Sequence, residues 1–218
     1  MKNSKQYAAK IRTFFRQARQ AYPKPDPAAF ADPLEALLYG LLAEHMSESD
    51  AGAAVKRIKD WFVDLNDLRV SRPEEIAEVL GGDSPQNREL AMTLTRALRA
   101  VYDKYHLLSL APLKKLGKKN ARQVLAKLDG VSEFASEFCM LAALGAHAVP
   151  LNRKMLDYLT SEELVDPQAD PAEIKGFLTR QIALRDAWQF YCLLRKATES
   201  PARLKRKSTR RAAAKKKK

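Results

Sequence analysis

The chain reads LAKLDGVSEFASEFCMLAALGAHAVPLN from Leu125 to Asn152. The first residues continue an amphipathic helix that is expected to end at Leu128, and the turn Gly130-Val131-Ser132 follows. A second, strongly apolar helix is predicted to begin there and to end at Gly145. Two helices joined by a short glycine-containing hairpin present backbone N–H groups to an anion such as a phosphate. This stretch therefore predicts both the local fold and a candidate anion-binding turn.

Helical periodicity also dominates the rest of the sequence, and no sustained strand-like alternation interrupts it. Residues 4–21 form a basic amphipathic pattern, and Asp32-Pro33 is a strong helix start because aspartate caps a first turn that accepts proline. The other predicted helices run from a Ser49 or Asp50 cap to Phe62, from 73 to 80, from 84 to 106, from 120 to 128, after Asn152, and once or twice within 171–194. We therefore predict an all-α fold of about ten helices.

The predicted domain organisation is one helical domain over residues 1–199, with the helix 4–21 packed on it and the hairpin at 120–145. Residues 200–218 are rich in lysine and arginine and almost lack apolar side chains, so we expect a disordered tail there. A chain of 218 residues is long enough to bury a substantial core.

The net charge of +13 is concentrated at the two ends of the chain. Residues 1–24 hold seven basic side chains and no acid, and residues 203–218 hold ten basic side chains and no acid, so the body between them is mildly acidic. Basic ends attract polyanions, of which nucleic acid is the commonest inside cells. An anionic membrane surface is the competing partner, but the tail lacks the apolar face of an interfacial helix.

Several classes of protein are excluded by the composition. Cys139 and Cys192 lie in apolar helical patterns and are expected to be buried free thiols. Two cysteines and three histidines do not form a zinc site or an iron–sulfur cluster. No apolar run approaches about 18 residues, and the N-terminus leads into a charged helix rather than a signal segment. We expect a cytoplasmic, nucleoid-associated monomer with no membrane partner.

Two blocks of sequence together resemble the helix-hairpin-helix (HhH-GPD) superfamily of DNA glycosylases, in its endonuclease III-like branch. The first block is DPLEALLYGLLAEHMSE, residues 32–48, and the second is LDGVS, residues 128–132, followed by AVPLN at 148–152. Their order and spacing match the family over about residues 30–160. The resemblance implies a two-lobed helical fold and double-stranded DNA as partner; whether that DNA is damaged or abasic stays open. It also implies that any enzymatic activity is that of a DNA N-glycosylase or AP-site lyase, without the iron–sulfur cluster.

The two catalytic positions of the family are occupied by other residues. The family's nucleophilic lysine falls at Phe134, which has no amine for a Schiff base. The family's catalytic aspartate falls at Asn152, whose neutral amide neither takes a proton from water nor stabilises a cationic sugar. The simplest role for Asn152 is the N-cap of the helix that follows. No catalytic residue is therefore expected by the family pattern.

The hairpin itself is better preserved. Gly130 allows the positive φ of such a turn, and Ser132, which replaces the family's second glycine, is a favoured N-cap. The resemblance also implies a monovalent cation held by the carbonyl groups of Leu128 and Val131, and it places His45 where the family has a glutamine that fills the gap left by a flipped base. The predicted DNA-binding residues are Lys127, Gly130, Val131, Ser132, Glu133, His45, Lys205, Arg206, Lys207, Arg210 and Arg211.

These patterns favour a DNA-binding protein of this superfamily without its usual glycosylase and lyase chemistry. The first alternative is an active glycosylase or AP lyase with relocated catalytic residues, in which one acid among Glu44, Glu48 and Asp157 is essential. Lys127 and Lys154 are lysines that such a rearrangement would use, although both are expected to face solvent or phosphate. The second alternative is an all-α protein-interaction module whose basic tail binds DNA non-specifically.

Overall fold

The computed structural model describes residues 4–200, which form eleven α-helices, one 3-10 helix and no β-strand. The helices are α1 Ser4–Ala21, α2 Pro33–His45, α3 Glu48–Trp61, α4 Leu65–Val70, α5 Pro73–Gly81, α6 Pro85–Tyr105, α7 Lys118–Leu125, α8 Glu133–Ala142, α9 Arg153–Ser161, α10 Pro171–Gln181 and α11 Leu184–Glu199; the 3-10 helix is Ala111–Lys115. The predicted all-α class is confirmed. The predicted DNA-binding residues Lys205, Arg206, Lys207, Arg210 and Arg211 lie outside the described range, as does the tail predicted to be disordered, except for Ser200.

The start of α2 is confirmed, whereas the start of α3 was predicted wrongly. Asp32 accepts the Leu34 N–H at 2.8 Å and Pro33 occupies the first turn. Helix α3 is capped by Ser47, which accepts the Asp50 N–H at 3.1 Å, rather than by Ser49 or Asp50. All three residues are good N-caps, so the local sequence alone does not choose among them.

The two hairpin helices are shorter than predicted. Helix α7 covers Lys118–Leu125 instead of 120–128. The helix ends early because Lys127 and Leu128 donate to carbonyl groups three residues earlier, which is the 3-10 pattern rather than the α-helical one. Helix α8 ends at Ala142 instead of Gly145. The Ala146 N–H donates to the Met140 carbonyl at 2.8 Å, and the turn requires a positive φ of 59° at Gly145.

Two further predictions missed helical residues. The six-residue helix α4 was not predicted, since one and a half turns give no readable periodicity. Its N-cap is Asp64, whose carboxylate accepts the N–H groups of Asn66 and Asp67. The region 171–194 contains two helices, and the second continues to Glu199.

The chain divides into two compact units. Within residues 4–200, unit 1 comprises 4–28 and 147–200, and unit 2 comprises 29–146. In unit 1, α1 packs against α11, and Phe14 and Phe15 meet Phe190 edge to face at centroid distances of 6.3 and 5.4 Å. An ion pair between Arg19 and Asp186, 2.6 Å apart, joins the same two helices.

Unit 2 is built around α2, which is buried on nearly every side. Its main partner is α8. The two helices approach so closely at Gly40 that a Cβ atom there would lie 3.0 Å from the Ala135 Cα. The thiol of Cys139 donates to the Pro33 carbonyl at 3.2 Å. This contact fixes α8, the second helix of the hairpin, to the central helix of unit 2.

Both cysteines are buried free thiols, as predicted. Burial, reinforced by the charge of Asp32, raises the pKa of the Cys139 thiol to about 12. Between residues 4 and 200, no helix has the length and apolar content needed to cross a bilayer.

Candidate DNA-binding hairpin

The turn between α7 and α8 depends on Gly130. This residue has φ 75°, in the left-handed region, and its N–H donates to the Asp129 side chain at 2.8 Å. A Cβ atom at this position would lie 2.8 Å from the Thr93 carbonyl oxygen and 2.9 Å from the Ala97 nitrogen of α6. Glycine is therefore required twice, by the backbone conformation and by the close approach to α6.

Ser132 begins α8 and links it to the end of α2. Its Oγ accepts the Ala135 N–H at 3.1 Å, and its hydroxyl donates to the Glu44 carboxylate. The predicted capping role of Ser132 is confirmed. The bond to Glu44 was not predicted, because the two residues are 88 positions apart in sequence. A helix N-terminus attracts anions, and here a carboxylate of the protein already lies beside it.

Phe134 is part of the apolar core of unit 2. Its side chain is 4% exposed and stacks on Phe138, with ring centroids 6.5 Å apart and an interplanar angle of 19°. Phe138 in turn contacts Phe30 and Tyr39 at centroid distances of 5.9 and 5.3 Å. The position therefore contributes packing within unit 2, and its hydrocarbon ring offers neither a nucleophile nor a proton.

Asn152 is the N-cap of α9 in unit 1, as predicted. The residue is 7% exposed, and its Oδ1 accepts the Met155 N–H at 3.0 Å. A capping bond of this kind satisfies one of the N–H groups that have no partner within a helix. The observed role of the side chain is thus structural.

The other candidate residues lie mostly at the surface. His45 is the last residue of α2 and is exposed, as are Lys127, Glu133 and Lys154. Among the carboxylates considered as replacements, Asp157 forms an exposed ion pair with Arg153 at 2.9 Å and Glu48 lies in the first turn of α3. Glu44 is in contact with the hairpin, through Ser132.

A basic segment leading into the hairpin was missed by the sequence analysis. Residues 112–128 contain six basic side chains and no acid. These are Lys114, Lys115, Lys118, Lys119, Arg122 and Lys127, and all except the half-buried Arg122 are exposed. The signal was present in the sequence, but charges summed over the whole body of the chain concealed it. We call residues 114–127 the basic segment.

The basic segment is attached to the core of unit 2 at both ends. The Lys114 Nζ donates to the Ala31 carbonyl at 2.7 Å, and Arg122 forms an ion pair with Glu137 at 3.0 Å.

Burial alone would raise the pKa of the Asp32 carboxyl, but hydrogen bonds from Leu34, Ser109 and Leu110 and the charge of Lys114 outweigh it and hold that pKa below its usual value.

No cluster of three or more histidine, cysteine, aspartate or glutamate side chains suited to a metal occurs within residues 4–200. A monovalent cation held by carbonyl groups is a different kind of site. One of the two predicted ligands, the Leu128 carbonyl, accepts the Val131 N–H at 3.3 Å. A carbonyl oxygen has two lone pairs, so this bond leaves the oxygen capable of a second interaction.

Comparison with solved structures relates the fold to one class of protein. The chain is similar to endonuclease III in complexes with DNA, with a TM-score of 0.70 and 16% identity over 90% of this chain and 86% of that one. It is also similar to the Helicobacter pylori 3-methyladenine DNA glycosylase MagIII bound to 1,N6-ethenoadenine, with a TM-score of 0.63 and 14% identity over 92% and 99%. A thermostable thymine-DNA glycosylase matches with a TM-score of 0.61 and 17% identity over 89% and 85%.

The chain therefore has the helical fold of the DNA glycosylases. More particularly, it has the fold seen in endonuclease III. No family model matches the sequence, and no curated protein matches it.

Proposed function

We propose that this chain is a DNA-binding protein of the endonuclease III-like base-excision-repair superfamily that lacks the usual glycosylase and lyase chemistry. The observation that carries the proposal is the contrast within one hairpin. The turn at Gly130 and the cap at Ser132 are well formed, whereas Phe134, at the position of the family's lysine, is a core residue.

Duplex DNA is the partner that the basic segment before this turn favours. Lys127 is exposed three residues before Gly130, and the rest of the basic segment precedes it. The N-terminus of α8 adds the positive end of a helix dipole. Backbone N–H groups and lysines of this kind contact phosphates and carry no sequence information. We therefore propose binding without strong sequence preference, by a monomer associated with the nucleoid.

The proposed monovalent cation at the Leu128 and Val131 carbonyls would act in the same binding step. A cation there would add positive charge next to a bound phosphate. Its test is a comparison of duplex affinity in potassium and in a bulky organic cation at equal ionic strength. We expect weaker binding in the organic cation, and equal affinities would argue against the site.

The experiment that tests DNA binding is a fluorescence-anisotropy titration of the full chain. The probes are a duplex carrying an abasic-site analogue and a matched intact duplex, at salt concentrations between about 0.05 and 0.2 M. Lys127→Glu should weaken binding to both duplexes by roughly fivefold and lower the slope of log affinity against log salt by about 1. Lys56→Glu, which reverses an exposed charge on α3, is the matched control and should have a smaller effect. Equal effects of the two variants would contradict a role for the hairpin.

A second measurement tests the proposed loss of chemistry. Saturating full chain is incubated with duplexes that carry oxidised, alkylated or deaminated bases, and release of the free base is followed by mass spectrometry. No release is expected, because neither Phe134 nor Asn152 activates a nucleophile. Release of any base above the protein-free rate would contradict this half of the proposal.

One observation favours the second candidate, an active enzyme with a relocated acid. Among the acids considered, Glu44 accepts the hydroxyl of Ser132 in the hairpin. If Glu44 replaced the missing aspartate, Glu44→Gln would abolish any base release found in the mass-spectrometry assay, and Asp157→Asn would leave that release unchanged. Under the leading proposal, Glu44→Gln instead strengthens DNA binding, because it removes a negative charge from the N-terminus of α8.

A further inference from the structure

Large apolar side chains cluster on one part of the surface of unit 2. Of the seven that are exposed within residues 4–200, three lie between 61 and 70. Trp61 at the end of α3 is 65% exposed, Val63 in the loop that follows is 93% exposed, and Val70 at the end of α4 is 63% exposed. Single exposed apolar residues are normal, but a group in one short stretch is typical of an interaction surface.

A cavity of about 300 Å³ opens beside these residues, and its whole lining belongs to unit 2. Val63 and Asp64 are exposed and form part of its wall, so the cavity reaches the surface. The half-buried rings of Phe30 and Tyr39 also line it. Its deeper wall consists of buried apolar side chains, which are Leu38, Leu42, Ile58, Phe62, Leu68 and Leu94. Such a cavity suits one aromatic side chain, because rings pack favourably against other rings.

The surroundings of the cavity are acidic. Residues 60–78 contain six acids and two basic residues. The Trp61 indole N–H donates to Glu75 at 3.4 Å, so the exposed apolar residues and the acids belong to one surface. All six acids are exposed except the half-buried Asp67, and none forms an ion pair within residues 4–200; they are Asp60, Asp64, Asp67, Glu74, Glu75 and Glu78. We call residues 60–78, together with the cavity, the docking surface.

Three basic residues of this region interact with groups other than these acids. Arg57 donates to two carbonyl groups near the end of α5 at 2.6 and 2.7 Å. The guanidinium of Arg69 lies 4.2 Å from the centroid of the Tyr102 ring, and the Nζ of Lys59 lies 3.5 Å from the Glu35 carboxylate. The six carboxylates therefore stay available to basic side chains of a partner.

Charge and shape together select the kind of occupant. Nucleic acid and anionic lipid are repelled by exposed carboxylates. A small apolar molecule would fill the cavity but leave Trp61 and Val63 in water. A basic peptide segment that carries an aromatic side chain fills the cavity, covers the exposed apolar residues and neutralises the acids.

We infer that the docking surface binds a basic segment of another protein, with one aromatic side chain of that segment in the cavity and its lysines or arginines on the carboxylates. The aromatic side chain contributes most of the affinity, because it is the part that leaves water. The exposed ion pairs contribute selectivity and faster association. The inference goes beyond the proposed function and does not rest on it, since the docking surface is acidic and DNA is not its ligand.

Phage display tests the chemistry of the partner. A random peptide library is selected in parallel on the full chain and on its Asp60→Lys variant. Binders of other surfaces are recovered equally on both proteins, so peptides enriched on the wild type report on the docking surface. We expect these peptides to share one aromatic residue flanked by lysine or arginine. An enriched set without this pattern, or no enriched set, would overturn the inference.

The matched control for the charge is Asp103→Lys. Asp60 and Asp103 are both exposed and both lie close to the C-terminus of a helix, where lysine suits the helix dipole. By calorimetry, a selected peptide should bind Asp103→Lys as it binds the wild type and should bind Asp60→Lys roughly fivefold more weakly. Equal affinities for the two variants would contradict the role of the carboxylates.

The cavity is tested by filling it. Val55→Phe adds a ring to the cavity wall, and Met92→Phe changes an exposed apolar residue of α6 outside the cavity. The first variant should bind a selected peptide roughly tenfold more weakly and the second should bind it normally. Equal binding would refute the cavity as the anchor site. If Val55→Phe does not fold, ¹⁵N NMR of the wild type decides: peptide-induced shifts at Ile58, Phe62 and Leu68 support the inference, and shifts elsewhere overturn it.

A second copy of this chain is the competing occupant. Sedimentation velocity of the full chain is compared with that of Asp60→Lys over a range of protein concentrations. We expect both proteins to sediment as monomers. A wild-type dimer that the substitution dissociates would assign the docking surface to self-association and overturn the inference.

Discussion

The turn at 129–132 and the residue at 134 lie within one short stretch of chain, yet they are constrained by different forces. The turn is fixed by backbone geometry, because Gly130 has a positive φ and its Cα faces the backbone of α6. Phe134 is fixed by apolar packing on Phe138. A hairpin that binds phosphate needs the first kind of constraint, and a Schiff-base enzyme needs an amine at the second position. The turn and position 134 are therefore constrained independently, although both lie at the start of α8.

The same comparison shows why a phenylalanine suits position 134. A reactive lysine must keep its amine accessible, and this limits how deeply the residue is buried. A phenylalanine has no such limit and adds apolar contacts to the core of unit 2. Phe134 thus stabilises the fold of unit 2.

The largest expected effect is at Phe134, the buried residue in this comparison. Phe134→Ala should lower the free energy of unfolding by about 4 kcal/mol, because it removes a buried ring and leaves a cavity. Phe134→Leu is the control and should cost less than about 1.5 kcal/mol. Urea unfolding measures both. A loss below about 1 kcal/mol for the alanine variant would mean that position 134 is not a packing position.

The next effect concerns the turn. Gly130→Ala should destabilise unit 2 by about 3 kcal/mol, since it combines a left-handed backbone with contacts below 3.0 Å to α6. Gly52→Ala is the opposite case, because its Cβ would meet nothing within 4 Å and alanine favours a helix. It should stabilise the protein by roughly 0.5–1 kcal/mol. Thermal unfolding of the two variants should therefore shift in opposite directions, and shifts of the same sign would contradict the assignment.

Asn152 extends the comparison to the second position at which the resemblance predicts a replaced catalytic residue. Asn152→Ala should cost about 1–2 kcal/mol because the cap of α9 is buried. Asn152→Asp should stay within about 0.5 kcal/mol of the wild type at neutral pH, since aspartate also caps well and suits a helix N-terminus. If both variants were equally destabilised, the capping account of this residue would be wrong.

The smallest effect is expected at Ser132. Ser132→Ala should cost about 1 kcal/mol through loss of the cap, whereas Ser132→Thr should lie within a few tenths of a kcal/mol of the wild type. Duplex affinity is the second readout. The alanine variant also removes the hydrogen bond to the Glu44 carboxylate. The duplex affinities of the two variants, measured at a temperature where both are folded, show whether that carboxylate affects DNA binding at the turn. Identical affinities would exclude such an effect.

Local signals made much of the fold predictable, whereas the exact helix bounds and the contacts between distant residues were not readable from the sequence. Asp32-Pro33 and Asn152 are read correctly because a cap and its helix lie within a few residues of each other. The choice of Ser47 over Ser49 was not readable, since neighbouring residues cap equally well. The bond between Ser132 and Glu44 and the contact of Gly130 with α6 join distant parts of the chain.

The charges show a different kind of error. The basic segment and residues 60–78, which contain six acids and two basic residues, both lie in the body of the chain, so its mild net charge concealed two stretches of opposite charge. A count in windows of about 20 residues would have found both.

The most direct test of the account is to observe the hairpin while DNA binds. Backbone amide signals of the full chain are recorded by ¹⁵N NMR as a short duplex is added. The account predicts saturable shifts at Gly130, Val131, Ser132 and Lys127, and little change at Gly52 and Asp103. Shifts confined to residues 1–24 and 201–218, with the hairpin signals unchanged, would show that the basic ends bind the DNA and that the hairpin does not.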